Sequence, residues 1–174
     1  MKTRVNERTQ NLVLAGLLAA FTAIATLLIQ IPTPTKGYVN LGDCFVNISG
    51  WILGPVYGGA AAGVGSALAD MISGYTVYAP ATLVIKAGMA AASAVIYTKL
   101  SRRFSGFAAR IAAAVTAELI MSFGYMAFES VLYGSAAAAL PGIPANLAQG
   151  ILGAVISVTL FEAVLKRIPF LKEK

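Results

Sequence analysis

The sequence predicts an all-α integral membrane protein, a bundle of six transmembrane helices with both termini in the cytoplasm. Hydrophobic residues make up 58% of the 174 residues and charged residues only 11%, whereas charged residues are about 25% of an ordinary soluble domain. Long uncharged runs recur along the chain, and such runs cross a hydrocarbon core of about 30 Å as helices. Basic residues cluster at alternate connections between the runs, which is typical of a multi-pass topology.

The first predicted span covers residues 11–31, an uncharged run that follows a basic N-terminal tail. At about 1.5 Å per residue, this run is long enough to cross the membrane. A signal peptide also has a basic start, but its apolar region is usually only about 7–15 residues long. The length of the run therefore favours a retained membrane helix.

Two short helices are predicted next, over residues 43–53 and 55–71, because Gly54-Pro55 interrupts an uncharged run. They follow a loop at residues 32–38 that contains two prolines and a glycine. Small residues recur four apart in the second helix, and such stripes let helix backbones approach closely in lipid. This helix is therefore expected to pack against its neighbours at short range.

The last three spans are predicted over residues 80–100, 109–131 and 145–166, separated by connections rich in glycine, proline or arginine. These spans leave no room for a soluble domain. The chain is therefore expected to be a single six-helix membrane domain, residues 1–174, with short cytoplasmic tails at 1–10 and 167–174.

The charges predict the orientation. With six spans, 11 of the 13 lysines and arginines fall on the side of the termini, and only Lys36 and Lys86 belong to the other half. The positive-inside rule makes the basic side cytoplasmic. The net charge of +6 is then a topology signal, and nucleic-acid binding is not expected. Loops near residues 36, 75 and 140 are predicted to lie outside the cell.

The composition argues against several kinds of catalytic and metal site. The chain has no histidine and one cysteine, Cys44, so histidine-based triads and the common zinc sites are excluded. No phosphate-binding GxxxxGK[ST] loop is present. Neither a cofactor nor a metal is expected, and no catalytic residue is assigned. Two alternatives remain open: an intramembrane aspartyl protease that uses Asp43 and Asp70, or a structural membrane protein of an envelope complex.

Aromatic, amide and charged residues concentrate in the outer loops and at the outer helix ends. Each alone has a structural explanation, such as a tyrosine belt, interhelical hydrogen bonds, or a lysine that pairs with a carboxylate or snorkels outward. Together they resemble the polar groups of a small-molecule pocket. The predicted binding residues are Tyr38, Asn40, Tyr75, Tyr78, Lys86, Tyr125, Glu129, Asn146 and Gln149.

Two polar stripes are expected to face the interior of the bundle, because their residues share one helical face. Glu118 belongs to the first stripe and is predicted to be a buried structural partner. Asp43 is predicted to cap the helix that follows it, and Glu162 to pair with Lys166 one turn later. The two stripes comprise Glu118, Ser122, Tyr125 and Glu129 in the fifth span, and Asn146, Gln149, Gly153 and Ser157 in the sixth.

The first span carries a row of alanines four residues apart: Ala15, Ala19 and Ala23. Such a row indicates a close helix contact, either within the chain or with a partner.

Four segments taken in order resemble the substrate-binding S components of energy-coupling factor (ECF) transporters. They are GYVNLGD at 37–43, GPVYGG at 54–59, GSALAD at 65–70 and YAPATLVIKA at 78–87. The resemblance implies a six-helix vitamin-binding subunit that works with a transmembrane scaffold subunit and two cytoplasmic ATPase subunits. It also implies that Ala15, Ala19 and Ala23 dock on the scaffold.

The resemblance further implies a mechanism and a class of ligand. The subunit would capture a vitamin from outside and topple against the scaffold to deliver it, while the ATPases supply the energy. The expected ligand is a small aromatic vitamin or precursor, with vitamin B6 or hydroxymethylpyrimidine ahead of riboflavin. In this interpretation Lys86 faces a ring acceptor or phenolate of the ligand, and Glu129 balances its charge.

Overall fold

The computed structural model describes residues 7–33 and 35–168. Four basic residues on which the orientation partly rests, Lys2, Arg4, Lys172 and Lys174, lie outside these ranges, as does Pro34 of the first loop. The chain folds into helices joined by short loops. The elements are α1 (Glu7–Leu28), β1 (Ile31–Pro32), β2 (Tyr38–Val39), α2 (Asp43–Ile72), α3 (Ala79–Leu100), α4 (Gly106–Leu132), α5 (Ala136–Ala139), α6 (Gly142–Ala163) and a final 3₁₀ turn (Leu165–Arg167).

The all-α membrane fold is confirmed. By length and composition, five of the described helices are able to cross a membrane, and one of these five, α2, is interrupted. The predicted first span differs in its ends: α1 begins at Glu7 and stops at Leu28. The residues after it form a two-residue strand that pairs antiparallel with Tyr38–Val39, because the loop between them turns the chain back on itself.

Helix α2 is broken at Gly54, as the sequence predicts. Gly54 has φ 74° and ψ −174°, a conformation that only glycine adopts easily, and Pro55 follows it. A Cβ atom built on Gly58 lies 2.9 Å from the Cα of Gly50, although eight residues of straight helix span about 12 Å. The halves, α2a (43–53) and α2b (55–72), therefore pack side by side, and the bundle has six long helical segments.

Glycines on α2b make the close contacts that the small-residue stripes predict. A Cβ atom built on Gly65 lies 3.0 Å from the Cα of Ala19 in α1, and one on Gly59 lies 3.2 Å from the carbonyl oxygen of Ala87 in α3. Backbones approach this closely only where side chains are absent. These contacts hold α2b between α1 and α3.

One end of the bundle, the terminal end, contains the start of α1 and the end of α6, and its core is aromatic. Trp51 packs edge-on against Phe161, with ring centroids 5.7 Å apart. The guanidinium of Arg110 lies 3.9 Å from the Phe161 ring centroid and donates to Glu162 at 2.5 Å. The predicted pair of Glu162 with Lys166 is confirmed. Arg110 is only 8% exposed, because the ion pair with Glu162 and the contact with the Phe161 ring hold its side chain against the bundle.

Three loops meet at the opposite end, which we call the loop end. The hydroxyl groups of Tyr78 and Tyr133 both donate to the carbonyl oxygen of Thr35, at 2.7 and 2.5 Å. Gln30 donates to Ser73 at 2.7 Å. The connections α1–α2, α2–α3 and α4–α5 are thereby tied together above the helices.

Candidate ligand-binding site

A polar cavity lies beneath the three loops at the loop end. It contains about 360 Å³ of empty space, its open mouth included. Residues from the first loop, α2b, α4 and α6, together with the start of α3, form its wall. No lysine or arginine is among the lining residues that the structure describes, which are Thr33, Gly37, Tyr38, Asn40, Asp70, Tyr78, Thr82, Tyr125, Glu129 and Asn146.

The structure brings six of the nine predicted binding residues to this wall: Tyr38, Asn40, Tyr78, Tyr125, Glu129 and Asn146. Sequence reasoning missed four others. Thr82 lies one helical turn after Tyr78, so its position on the same face was a usable signal. Asp70 was considered only for the alternative of an aspartyl protease, and nothing in the sequence assigns Thr33 or Gly37 to a cavity wall.

Tyr75 does not line the cavity but supports the rings that do. Its ring centroid lies 4.6 Å from that of Tyr38 and 6.4 Å from that of Tyr78. Tyr78 in turn packs edge-on against Phe128, with 5.3 Å between ring centroids. The aromatic cluster therefore holds one side of the cavity in place, since its rings restrict one another's rotation.

The tyrosine hydroxyl groups are hydrogen-bonded to cavity residues. Tyr38 donates to Oδ1 of Asp70 at 2.6 Å. Burial raises the pKa of Tyr38, so its phenol stays protonated and remains a donor. The hydroxyl groups of Tyr125 and Thr82 lie 2.9 Å apart, and that of Tyr78 lies 3.3 Å from Oε1 of Glu129.

Lys86 lies below the cavity and is 2% exposed. Its ammonium group forms an ion pair with Asp43, whose side chain is fully buried. The expectations that Glu129 balances the charge of Lys86 and that Asp43 caps its helix are wrong. That Lys86 faces the ligand stays a prediction; its ammonium group lies 5.5 Å from the ring centroid of Tyr125 in the cavity wall. Gly42 is the cap residue of α2. An unpaired ammonium group buried in hydrocarbon costs more free energy than a helix end without a side-chain cap. The carboxylate of Asp43 therefore pairs with Lys86.

Gln149 joins the cavity wall to this ion pair. Its side-chain oxygen accepts from the backbone N–H of Asn40 at 2.8 Å, and its amide nitrogen donates to Asp43 at 2.5 Å. Gln149 therefore does not line the cavity. It fixes the loop residue Asn40 to α6 and α2a from behind.

A second set of buried hydrogen bonds continues toward the other end of the bundle. Asn47 donates to Glu118 at 2.9 Å and accepts from Ser93 at 2.9 Å, and Ser93 accepts from the indole of Trp51 at 2.9 Å. Glu118 is thus a buried structural partner, as predicted. The polar stripes of α4 and α6 both face the interior.

Two carboxylates on the cavity wall have incomplete hydrogen bonding. Oδ2 of Asp70 and Oε2 of Glu129 are buried and accept no hydrogen bond from the part of the chain that the structure describes. Asp43 and Asp70 have different partners. Asp43 binds Lys86 and Gln149, whereas Asp70 accepts from Tyr38. They do not form the paired carboxylates that an aspartyl protease requires.

The alanine row on α1 lies at the edge of the bundle. Ala15, Ala19 and Ala23 are each half-buried. Ala15 and Ala19 pack against the aromatic core of the terminal end, and the backbone of Ala19 contacts Gly65. The row therefore contributes to packing within the chain, while part of its surface remains open.

Comparison with known proteins shows what this chain is similar to. The model of the family described as "ECF-type riboflavin transporter, S component" matches residues 6–166. A protein of Pyrococcus woesei described as "Uncharacterized protein in gap 3'region" is 35% identical over 146 residues, which are 83% of this chain and 95% of that protein. A solved structure described as "Structure and mechanism of the S component of a bacterial ECF transporter" superposes with a TM-score of 0.71 at 20% identity, over 93% of this chain and 99% of that chain.

Proposed function

The chain belongs to the family of ECF-type riboflavin transporter S components, and we propose that it captures a small aromatic vitamin or precursor at the loop end. Members of this family are multi-pass membrane proteins that bind the transported substrate. The proposed ligand is vitamin B6 or hydroxymethylpyrimidine, in preference to riboflavin. The observation that carries the proposal is the cavity under the three loops, which combines tyrosine rings with amide and carboxylate groups.

The wall of the cavity matches a small heteroaromatic ring in its chemistry. Tyr38, Tyr78 and Tyr125 offer ring faces and hydroxyl groups, and aromatic rings stack favourably on one another. Asn146 offers both a donor and an acceptor, as hydroxyl groups and ring nitrogens require. The absence of arginine and lysine among the described lining residues disfavours phosphate esters, which usually bind through such cations.

Riboflavin is the alternative ligand, and the description of the matching family favours it. Its three fused rings and ribityl chain have more than twice the heavy atoms of pyridoxine. The empty space of about 360 Å³ includes the open mouth of the cavity, so the enclosed part is smaller than this figure. A small ring compound therefore requires less movement of the loops than riboflavin does.

Transport requires partners, which we propose to be the ECF scaffold subunit and two cytoplasmic ATPase subunits. The side of α1 that carries Ala15, Ala19 and Ala23 is proposed to contact the scaffold, because small side chains permit close helix approach. The subunit then topples against the scaffold to carry the loop end toward the cytoplasm. ATP binding and hydrolysis in the partners reset it.

Mass spectrometry of small molecules extracted from the purified protein tests the proposal. The expected result is a B6 vitamer or hydroxymethylpyrimidine in about equal amount to the protein, and none in an extract of the Asn146→Trp variant, which fills the cavity. Co-purification of riboflavin would replace the proposed ligand with the alternative. An extract without any vitamin, from protein that also fails to bind added vitamins, would contradict the function.

A further inference from the structure

The hydrogen bonding of Asp70 is incomplete at the cavity wall. Its side chain is 4% exposed, and Oδ1 accepts from the neutral phenol of Tyr38 at 2.6 Å. Oδ2 is buried and accepts no hydrogen bond from residues 7–33 and 35–168. A buried carboxylate oxygen without a donor costs several times more than an ordinary hydrogen bond contributes. The cavity is the one side of Asp70 from which a ligand is able to supply the missing donor.

Asp70 also forms no ion pair with any lysine or arginine that the structure describes. Asp70 lies in the last turn of α2, which ends at Ile72, and the C-terminus of a helix disfavours a negative charge. The nearest buried cation of α3, Lys86, is bound to Asp43. No lysine or arginine is among the cavity residues that the structure describes. Asp70 therefore has no ion pair among the described residues, and Lys86 acts on it only at longer range.

Glu129, in the wall of the same cavity, offers a contrast. It is 3% exposed, and its Oε2 lies 2.9 Å from a Cβ atom built on Gly142, the first residue of α6. The N-terminus of a helix favours a negative charge. Glu129 therefore lies beside a stabilising helix end that Asp70 lacks, and it suits a neutral donor such as a hydroxyl group.

We propose that Asp70 selects a ligand with an amino group on or beside a basic heteroaromatic ring, while Glu129 accepts a hydrogen bond from a hydroxymethyl group of the same ligand. This inference rests on the proposed function. An aminopyrimidine that is protonated at the ring nitrogen beside its amino group donates to Asp70 at two points, and the pair is charge-assisted. The ammonium group of an aminomethyl substituent on a pyridine ring also donates to Asp70 in a charge-assisted hydrogen bond.

The test compares ligands that differ in one group. Pyridoxamine and pyridoxine share a ring and differ in an amino or a hydroxyl group. Hydroxymethylpyrimidine is compared in the same way with its analogue that lacks the ring amino group. For whichever ring the wild-type protein binds, calorimetric titration is expected to show the amino compound binding about tenfold or more tightly, since hydrogen bonds to charged groups are the stronger ones.

A variant then assigns the selectivity to one residue. Asp70→Asn is expected to abolish the preference for the amino compound. Glu129→Gln, the matched control, is expected to weaken the binding of both compounds and to keep the preference. Equal or tighter binding of the compound without the amino group, in the wild-type protein, overturns the inference and leaves the proposed function standing. Binding of none of the four compounds, nor of riboflavin, overturns both. The wild-type comparison decides the matter even if Asp70→Asn fails to fold.

Discussion

Lys86 of α3 donates to the carboxylate of Asp43, the first residue of α2a, and both side chains are buried in the bundle. The same carboxylate accepts from Gln149 of α6 at 2.5 Å. Three helices therefore meet at one charged group, directly behind the cavity. Because an ion in hydrocarbon is stable only with its partner, this pair fixes how the three helices are arranged.

Replacing one member of the pair is expected to destabilise the protein more than replacing both. Lys86→Met leaves Asp43 as an uncompensated buried charge, which costs about 3–5 kcal/mol. In detergent micelles, the unfolding temperature should therefore fall strongly in Lys86→Met. It should fall less in the double variant Lys86→Met/Asp43→Asn. An unchanged unfolding temperature in the single variant would contradict the buried pair.

Gln149 is expected to act on ligand binding without touching the ligand. Gln149→Leu removes the acceptor for the backbone of Asn40 and should weaken vitamin binding by about 1–3 kcal/mol, the cost of a buried group left unpaired. The matched control is Ser157→Ala on the same helix, because Ser157 bonds only to its own helix, at Ala154. Equal affinities for the two variants would show that the link to Asn40 has no effect.

The alanine row is expected to affect transport rather than binding. Ala23→Trp adds bulk to the row without disturbing the contact between Ala19 and Gly65. Uptake by the assembled transporter should be lost, while the isolated subunit still binds its vitamin. Leu17→Trp is the control, since Leu17 is 48% exposed and lies about 160° around the helix from Ala19. Normal uptake by Ala23→Trp would exclude the row from docking.

Single cysteines report the orientation. Thr76→Cys and Ser135→Cys place thiols in exposed positions at the loop end, and Ser101→Cys places one at the other end. The native Cys44 is buried and is expected to stay unreactive. A membrane-impermeant maleimide added to intact cells should label the first two and not the third. Labelling at Ser101→Cys would invert the predicted topology.

Features that depend on local chemistry and hydrophobic run length could be predicted from the sequence. The break at Gly54-Pro55 is one, because glycine and proline act on the backbone wherever they occur. The inward faces of α4 and α6 are another, since polar residues at helical spacing avoid lipid. From these features, Tyr125, Glu129 and Asn146 could be assigned to the end of the bundle where the cavity lies.

Features that depend on which side chains meet across helices could not be predicted. Asp43 and Lys86 are 43 residues apart, and Gln149 and Asn40 are 109 apart. Nothing in the sequence states that α2a, α3 and α6 converge there. Asp43 was therefore assigned to a local cap, Lys86 to the ligand, and Asp70 to the protease alternative, although Asp70 lines the cavity.

The most direct test of the proposed binding function is a titration of the purified wild-type protein and the Asn146→Ala variant with five compounds: pyridoxine, pyridoxal, hydroxymethylpyrimidine, thiamine and riboflavin. Asn146 lines the cavity, and its loss should weaken the best ligand by about 1–3 kcal/mol if a buried polar group is left unpaired. The account predicts saturable binding of a B6 vitamer or hydroxymethylpyrimidine, more tightly than riboflavin. Tight binding of riboflavin alone would contradict the choice of ligand, and binding of none of the five would contradict the function itself.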